Sequence, residues 1–166
     1  MQVLLMRLLA ALCALHGLSF TPTCLADENH TLAVVVSSKP GLAVINQLSA
    51  QELNLIYWRK KQYWQDGVRI HPVNLHAEHP LRLYFSKLVL GNAPSEQSNY
   101  WNNLYFHGTT PPYSVQSEEA VLRYIATTKG AIGYINACNT DERVRPLLWI
   151  EGDDILSHKP NLHCGP

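Results

Sequence analysis

Five apolar residues in unbroken succession, Leu32 to Val36, stop at Ser37-Ser38-Lys39-Pro40-Gly41. A β-branched run that ends in a turn signal predicts a strand, and the lack of polar alternation predicts cover on both of its faces. Ser49-Ala50-Gln51-Glu52 has the spacing of a capping box, so a helix is expected to start there with Leu53, Ile56 and Tyr57 as its apolar stripe. After the turn predicted at Asp66-Gly67, Val68 to Val73 alternates as a short strand, and Pro72 marks an edge or the strand's end.

Downstream the period lengthens. Pro80 suits a first helical position, and Leu81, Phe85, Leu88 and Val89 carry the apolar side of a helix that stops at Gly91. Tyr100, Trp101, Leu104 and Tyr105 put a further helix within Ala93 to Phe106, broken by Gly108-Thr109-Thr110-Pro111-Pro112. Ser117, Glu118 and Glu119 form a helix start, with carboxylates near the positive end of its dipole, and Val121, Leu122, Tyr124 and Ile125 are its buried side. Ala131 to Ile135 predicts a strand whose internal Gly133 signals a close approach, and Arg145 to Ile150 predicts a last strand. Strands alternating with helices place the chain in the α/β class, as a small mixed β-sheet with helices on both faces.

The N-terminus changes the picture. Arg7, the apolar stretch from Leu8 to Leu18 and the small residues of Cys24-Leu25-Ala26 have the layout of a signal peptide cleaved after Ala26, so export to the periplasm is expected. Cys24 is not read as a lipidated residue, because Thr21-Pro22-Thr23 does not resemble a lipobox. Cleavage leaves residues 27–166, the size of one domain. Twelve Lys plus Arg then face 13 Asp plus Glu, a balance that does not attract a polyanion, and Arg59-Lys60-Lys61 reads as a helix end and not as a nucleic-acid patch. Two cysteines remain, Cys138 and Cys164; in an oxidising compartment the simplest state is a disulfide between them, the other being two free thiols.

The ordered set Leu48-Ser49-Ala50-Gln51-Glu52-Leu53, Tyr57-Trp58, Trp64-Gln65-Asp66-Gly67, Ile70-His71-Pro72-Val73-Asn74, Pro80-Leu81-Arg82-Leu83-Tyr84-Phe85 and Gly130-Ala131-Ile132-Gly133-Tyr134 resembles the PstS-like phosphate-binding family. Within the type 2 periplasmic binding protein superfamily it is most similar to the short, half-sized members, over about Leu32 to Tyr134. The resemblance implies a single periplasmic-binding-protein-like lobe that recognises phosphate or another small oxyanion for a membrane transporter or sensor. In the family, two lobes close over a phosphate held by backbone amides at helix starts, by hydroxyls and by an arginine. The family's Ser-Gly-Thr turn is matched here by His79, Pro80 and Leu81, which removes both hydroxyls and one amide hydrogen. The ligand-binding residues expected from this are Ser37 and Ser38 after the first strand, His79 and Arg82 at the helix start, and Thr109. Arg82 would pair with the oxyanion, and a protonated His79 would add charge in acid; the alternative reading is that Arg82 is a surface residue one turn into the helix and His79 its cap.

Other chemistries fit less well. His71, His76 and His79 with Glu78 lack the tight pairing of zinc ligands, so no metal and no cofactor is expected. Cys138 precedes Asn139-Thr140-Asp141 without a helix start to stabilise a thiolate, and no Gly-x-Ser-x-Gly step occurs, so catalysis is not expected. Trp58, Trp64, Tyr100, Trp101, Tyr105 and Tyr113 are read as packing residues. The rival reading is a ligand-free protein-interaction module of an envelope or sensory complex, because a lone lobe leaves a half-site open to water. A homodimer would rebuild the enclosure.

Overall fold

In the computed structural model, residues 31–42 and 45–165 are described, and the expected signal peptide and its cleavage after Ala26 lie outside them. Among the described residues, six strands form one sheet in the spatial order β3-β2-β4-β1-β5-β6. They are β1 (Leu32–Ser37), β2 (His71–Leu75), β3 (Tyr113–Val115), β4 (Ala131–Asn136), β5 (Val144–Glu151) and β6 (Asp154–Leu156). β2 runs parallel to β3 and β4, whereas β1 is antiparallel to β4 and β5, and β6 is antiparallel to β5. The sheet is therefore mixed, as the alternation of elements implies.

The continuous run Leu32–Val36 lies between β4 and β5 with every side chain buried. The capping box forms as its spacing predicts: Ser49 Oγ accepts the Glu52 amide at 3.1 Å, and the Glu52 carboxylate accepts the Ser49 amide at 3.2 Å. This opens α1 (Ala50–Tyr57), whose Leu53, Ile56 and Tyr57 face the core. The basic run that follows is divided: Lys61 pairs with Glu52 at 2.5 Å, and Arg59 Nη1 turns back to the Ile70 carbonyl at 3.3 Å.

The helix expected from Pro80 is α2 (Pro80–Phe85), continued by a wider π-helical turn over Ser86–Leu90 whose Val89 carbonyl accepts Asn54 Nδ2 from α1 at 2.7 Å. The next helix is shorter than the pattern suggests: a 3-10 turn over Pro94–Gln97 leads into α3 (Ser98–Phe106). Its aromatics do not all pack. Tyr100 and Trp101 lean on Trp58, but Tyr105 is 66% exposed and Phe106 85% exposed. Strands β3 and β6, of three residues each, are too short to show a period. α4 (Glu118–Thr127) starts at Ser117 as expected and buries Val121, Leu122 and Ile125 on the sheet.

Three aromatic rings join these layers. Phe85 of α2 stacks on Tyr134 of β4 with centroids 3.9 Å apart and planes at 6°, and Tyr57 of α1 lies 4.6 Å from Phe85. The two tyrosine hydroxyls are satisfied: Tyr57 donates to the Val73 carbonyl at 3.1 Å, and Tyr134 donates to Asn74 Oδ1 at 3.2 Å and accepts the Leu75 amide at 3.4 Å. Cys138 and Cys164 are bonded, with Cα atoms 5.6 Å apart. Closing a loop over a separation of 26 residues contributes about 3 kcal/mol in the chain-entropy account.

Gly133 shows what its position in β4 requires. A Cβ there would lie 2.8 Å from Val121 Cγ1, 2.8 Å from Val73 Cγ1 and 2.9 Å from Ile125 Cδ1. Missing volume is thus what lets α4 lie close on β4 and β2. Gly133→Ala is expected to overpack this contact and lower unfolding stability by about 1 to 3 kcal/mol in a denaturant titration; an unchanged midpoint would show that α4 is not held against the sheet there.

Candidate functional site

Strand direction decides which of the expected site residues can meet. β1 pairs Val35 with Gly133, so Ser37 lies level with Ala131; β2 pairs Pro72 with Ile132, so Leu75 lies level with Ile135. Four residues of strand separate the two levels, about 13 Å at roughly 3.3 Å per residue. Ser37 and Ser38 therefore end at the edge where β2 and β4 begin, and His79 and Arg82 follow at the edge where those strands finish. Thr109 precedes β3, which is parallel to β2, and so belongs to the beginning edge as well. The expected pocket of Ser37, Ser38, His79, Arg82 and Thr109 does not converge on one hollow, because β1 is antiparallel to its neighbours.

At the beginning edge these groups serve the local chain. Ser37 Oγ accepts the Lys39 amide at 3.1 Å, the Ser38 amide donates to the Arg143 carbonyl at 2.9 Å, and the Thr109 amide donates to the Leu104 carbonyl at 3.0 Å.

At the finishing edge, the amides at the start of α2 are already used. Pro80 has no N–H, the Leu81 amide donates to His79 Nδ1 at 3.2 Å, and the Arg82 amide donates to the His79 carbonyl at 2.8 Å. A backbone amide only donates, so His79 Nδ1 must carry a lone pair, and this nitrogen acts as the helix cap. The imidazole is neutral in this role. Burial holds its pKa below the usual 6.5, the Glu118 carboxylate pulls it back up in part, and His76, 5.3 Å away ring to ring, adds to the lowering. A protonated His79 would lose the cap, which corrects the expectation that it supplies charge.

Arg82 takes a position the sequence does not disclose. It is 7% exposed and directed inward, where its Nη2 donates to the Oε1 of the buried Gln97 at 3.5 Å. Its Nη1 is buried and meets no acceptor among the described residues. The guanidinium offsets part of the rise that burial gives both phenols, at Tyr134 by its charge and by a side-chain hydrogen bond and at Tyr57 by its charge. Trp101 Nε1 donates to the same Gln97 oxygen at 3.2 Å, and Gln97 Nε2 donates to the Asn92 carbonyl at 3.1 Å, so α3 and the turn before it hold the partner of Arg82. Gln97, Tyr134 and Asn74 are the members of this cluster that sequence reasoning missed; Asn74, a polar residue between Val73 and Leu75 in β2, is the signal that could have found it.

The three histidines separate in the same way, with His71 opening β2 and His76 and His79 beyond its other end; His76 Nδ1 lies 3.4 Å from Glu78 Oε2. Cys138 carries no free thiol, being bonded to Cys164.

No family model and no curated protein matches the sequence. Solved structures do match the fold. One, described as a phosphate ABC transporter substrate-binding protein with bound phosphate from Clostridium perfringens, superposes with a TM-score of 0.56 at 18% identity, over 69% of this chain and 43% of its own. This chain shares its fold with part of that structure. An ABC-type phosphate transport receptor from Vibrio cholerae agrees, with a TM-score of 0.55 at 18% identity, over 70% of this chain and 48% of its own. The chain spans less than half the length of these two structures.

The histidine environments set a pH dependence. Burial lowers the pKa of both His71 and His79, with Arg69 and then Arg59 adding to the effect at His71. The unfolded chain therefore takes up protons first as pH falls through 6.5, and acidification favours unfolding. The melting temperature is expected to fall between pH 7.5 and 5.5, and less so in His79→Asn, whose amide oxygen still caps the Leu81 amide. A melting temperature that is level or rises over this window would contradict the assignment of His79 as a neutral cap.

Proposed function

We propose that this chain is an exported, periplasmic solute-binding-type domain that recognises phosphate or a similar small oxyanion at the finishing edge of β2 and β4, for a membrane transport or sensing partner. The observation that carries the reading is the buried Arg82 guanidinium, whose Nη1 meets no acceptor and which is paired with no carboxylate among the described residues. A buried cation costs several kcal/mol when uncompensated, and an orphaned donor in a native interior calls for an ion or water to answer it. A small anion at this edge answers both. The likeness to phosphate-binding proteins supports the same chemistry.

With the α2 amides consumed, the guanidinium is the chief donor at this site. Affinity is correspondingly modest, with a Kd on the order of 1 mM, or about −4 kcal/mol. A second surface, from the membrane partner or from a second copy of the chain, would complete the enclosure. The function is binding and not catalysis.

Calorimetric titration of the folded protein with phosphate, sulfate and acetate tests this. Phosphate is expected to bind and Arg82→Met to abolish the heat while leaving the protein folded, since methionine fills the same apolar path. Absence of heat from all three anions would overturn the reading. It would leave the alternative of a protein-interaction module, which the exposed Tyr105 and Phe106 of α3 favour.

A further inference from the structure

The edge where β2 and β3 begin has a feature of its own. A groove of about 520 Å³ lies between the residues after α1, the start of β2, the Pro111-Pro112 step and α4. Arg59, Arg69 and His71 line it, and no carboxylate does. Neither arginine forms an ion pair among the described residues. Arg59 Nε is buried and has no acceptor among them, although its Nη1 holds the Ile70 carbonyl.

Two guanidiniums and an imidazole are therefore confined together without a carboxylate. The effect registers on each: burial and then Arg69 lower the pKa of Arg59, and burial followed by Arg69 and Arg59 lowers that of His71. The far wall is aromatic, with the rings of Tyr113 and Tyr124 stacked at 5.5 Å and 30°. Planar guanidinium groups match carboxylate and phosphate oxygens in pairs, and flat rings and prolines suit a carbon skeleton. The volume falls within the roughly 300 to 1,000 Å³ usual for small-molecule sites, well above what a bare oxyanion fills.

We propose that this groove is a second binding site, for a small organic polyanion carrying at least two carboxylate or phosphate groups on a compact carbon frame, held by Arg59 and Arg69 against the Tyr113–Tyr124 wall. It lies at the opposite end of β2 from Arg82 and is independent of the oxyanion reading.

The test is calorimetry on the mature chain at low ionic strength with citrate and with fructose 1,6-bisphosphate, and with glucose as a neutral control. At least one polyanion is expected to bind, and which of the two does so separates carboxylate from phosphate chemistry. Arg69→Gln should weaken binding about 10-fold or more, the value of one charge-assisted hydrogen bond. Arg59→Gly should remove it altogether. Both variants should remain folded: Arg69 is exposed, and Arg59 has a φ of +58°, a conformation that glycine adopts freely. No heat from either polyanion, equal heat in both variants and the wild type, or equal heat from glucose would overturn the proposal.

Discussion

The stacking of Phe85 on Tyr134, with Tyr57 against both, is the contact on which the placement of α2 depends. Six α-helical residues and a π-helical turn are too few to hold together in water unaided, so tertiary packing must place this segment. Phe85 fixes it over β4. Because Arg82 lies one turn earlier on the same helix, its guanidinium is carried into the interior beside the two phenols. The tyrosine hydroxyls make the cluster polar as well as apolar: they secure Val73, Asn74 and Leu75 of β2, so the aromatic core and the strand that leads into α2 form one unit.

A second constraint follows from strand direction. β4 pairs in parallel with β2 and antiparallel with β1, so the loop after β1 and the loop after β2 emerge at opposite ends of the sheet. Positive charge is divided accordingly. Among the described residues, one end has the buried Arg82 guanidinium with an unanswered donor, and the other has an open groove lined by the guanidiniums of Arg59 and Arg69. Two solved structures that share this fold are described as a phosphate ABC transporter substrate-binding protein and a phosphate transport receptor, and each is more than twice as long as the part of it that superposes on this chain.

Much of this was legible in the residues. The unbroken run Leu32–Val36, the Ser49–Glu52 box, the start at Ser117, the glycine within β4 and the Cys138–Cys164 pair each carry a local signal strong enough to survive folding. Pairing direction leaves no such mark, because a buried strand reads the same whichever way its neighbours run; this is why Ser37 and Arg82 looked like partners. The His79 cap was legible as the alternative to an anion ligand, since Pro80 announces the helix start, and the Leu81 amide on Nδ1 decides between the two. The groove was hidden for another reason. Arg59 follows α1 and reads as part of a solvated basic run, and only the fold brings it to Arg69, His71 and the tyrosines of β3 and α4.

The most direct measurement is a titration of the isotope-labelled protein with inorganic phosphate, followed by NMR at the backbone amides and the arginine Nε groups. The account predicts progressive shifts at Arg82 Nε and at the amides of Asn74, Leu75, Gln97 and Tyr134. Shifts confined to Ser37 and Ser38, or none at Arg82 under saturating phosphate, would contradict it.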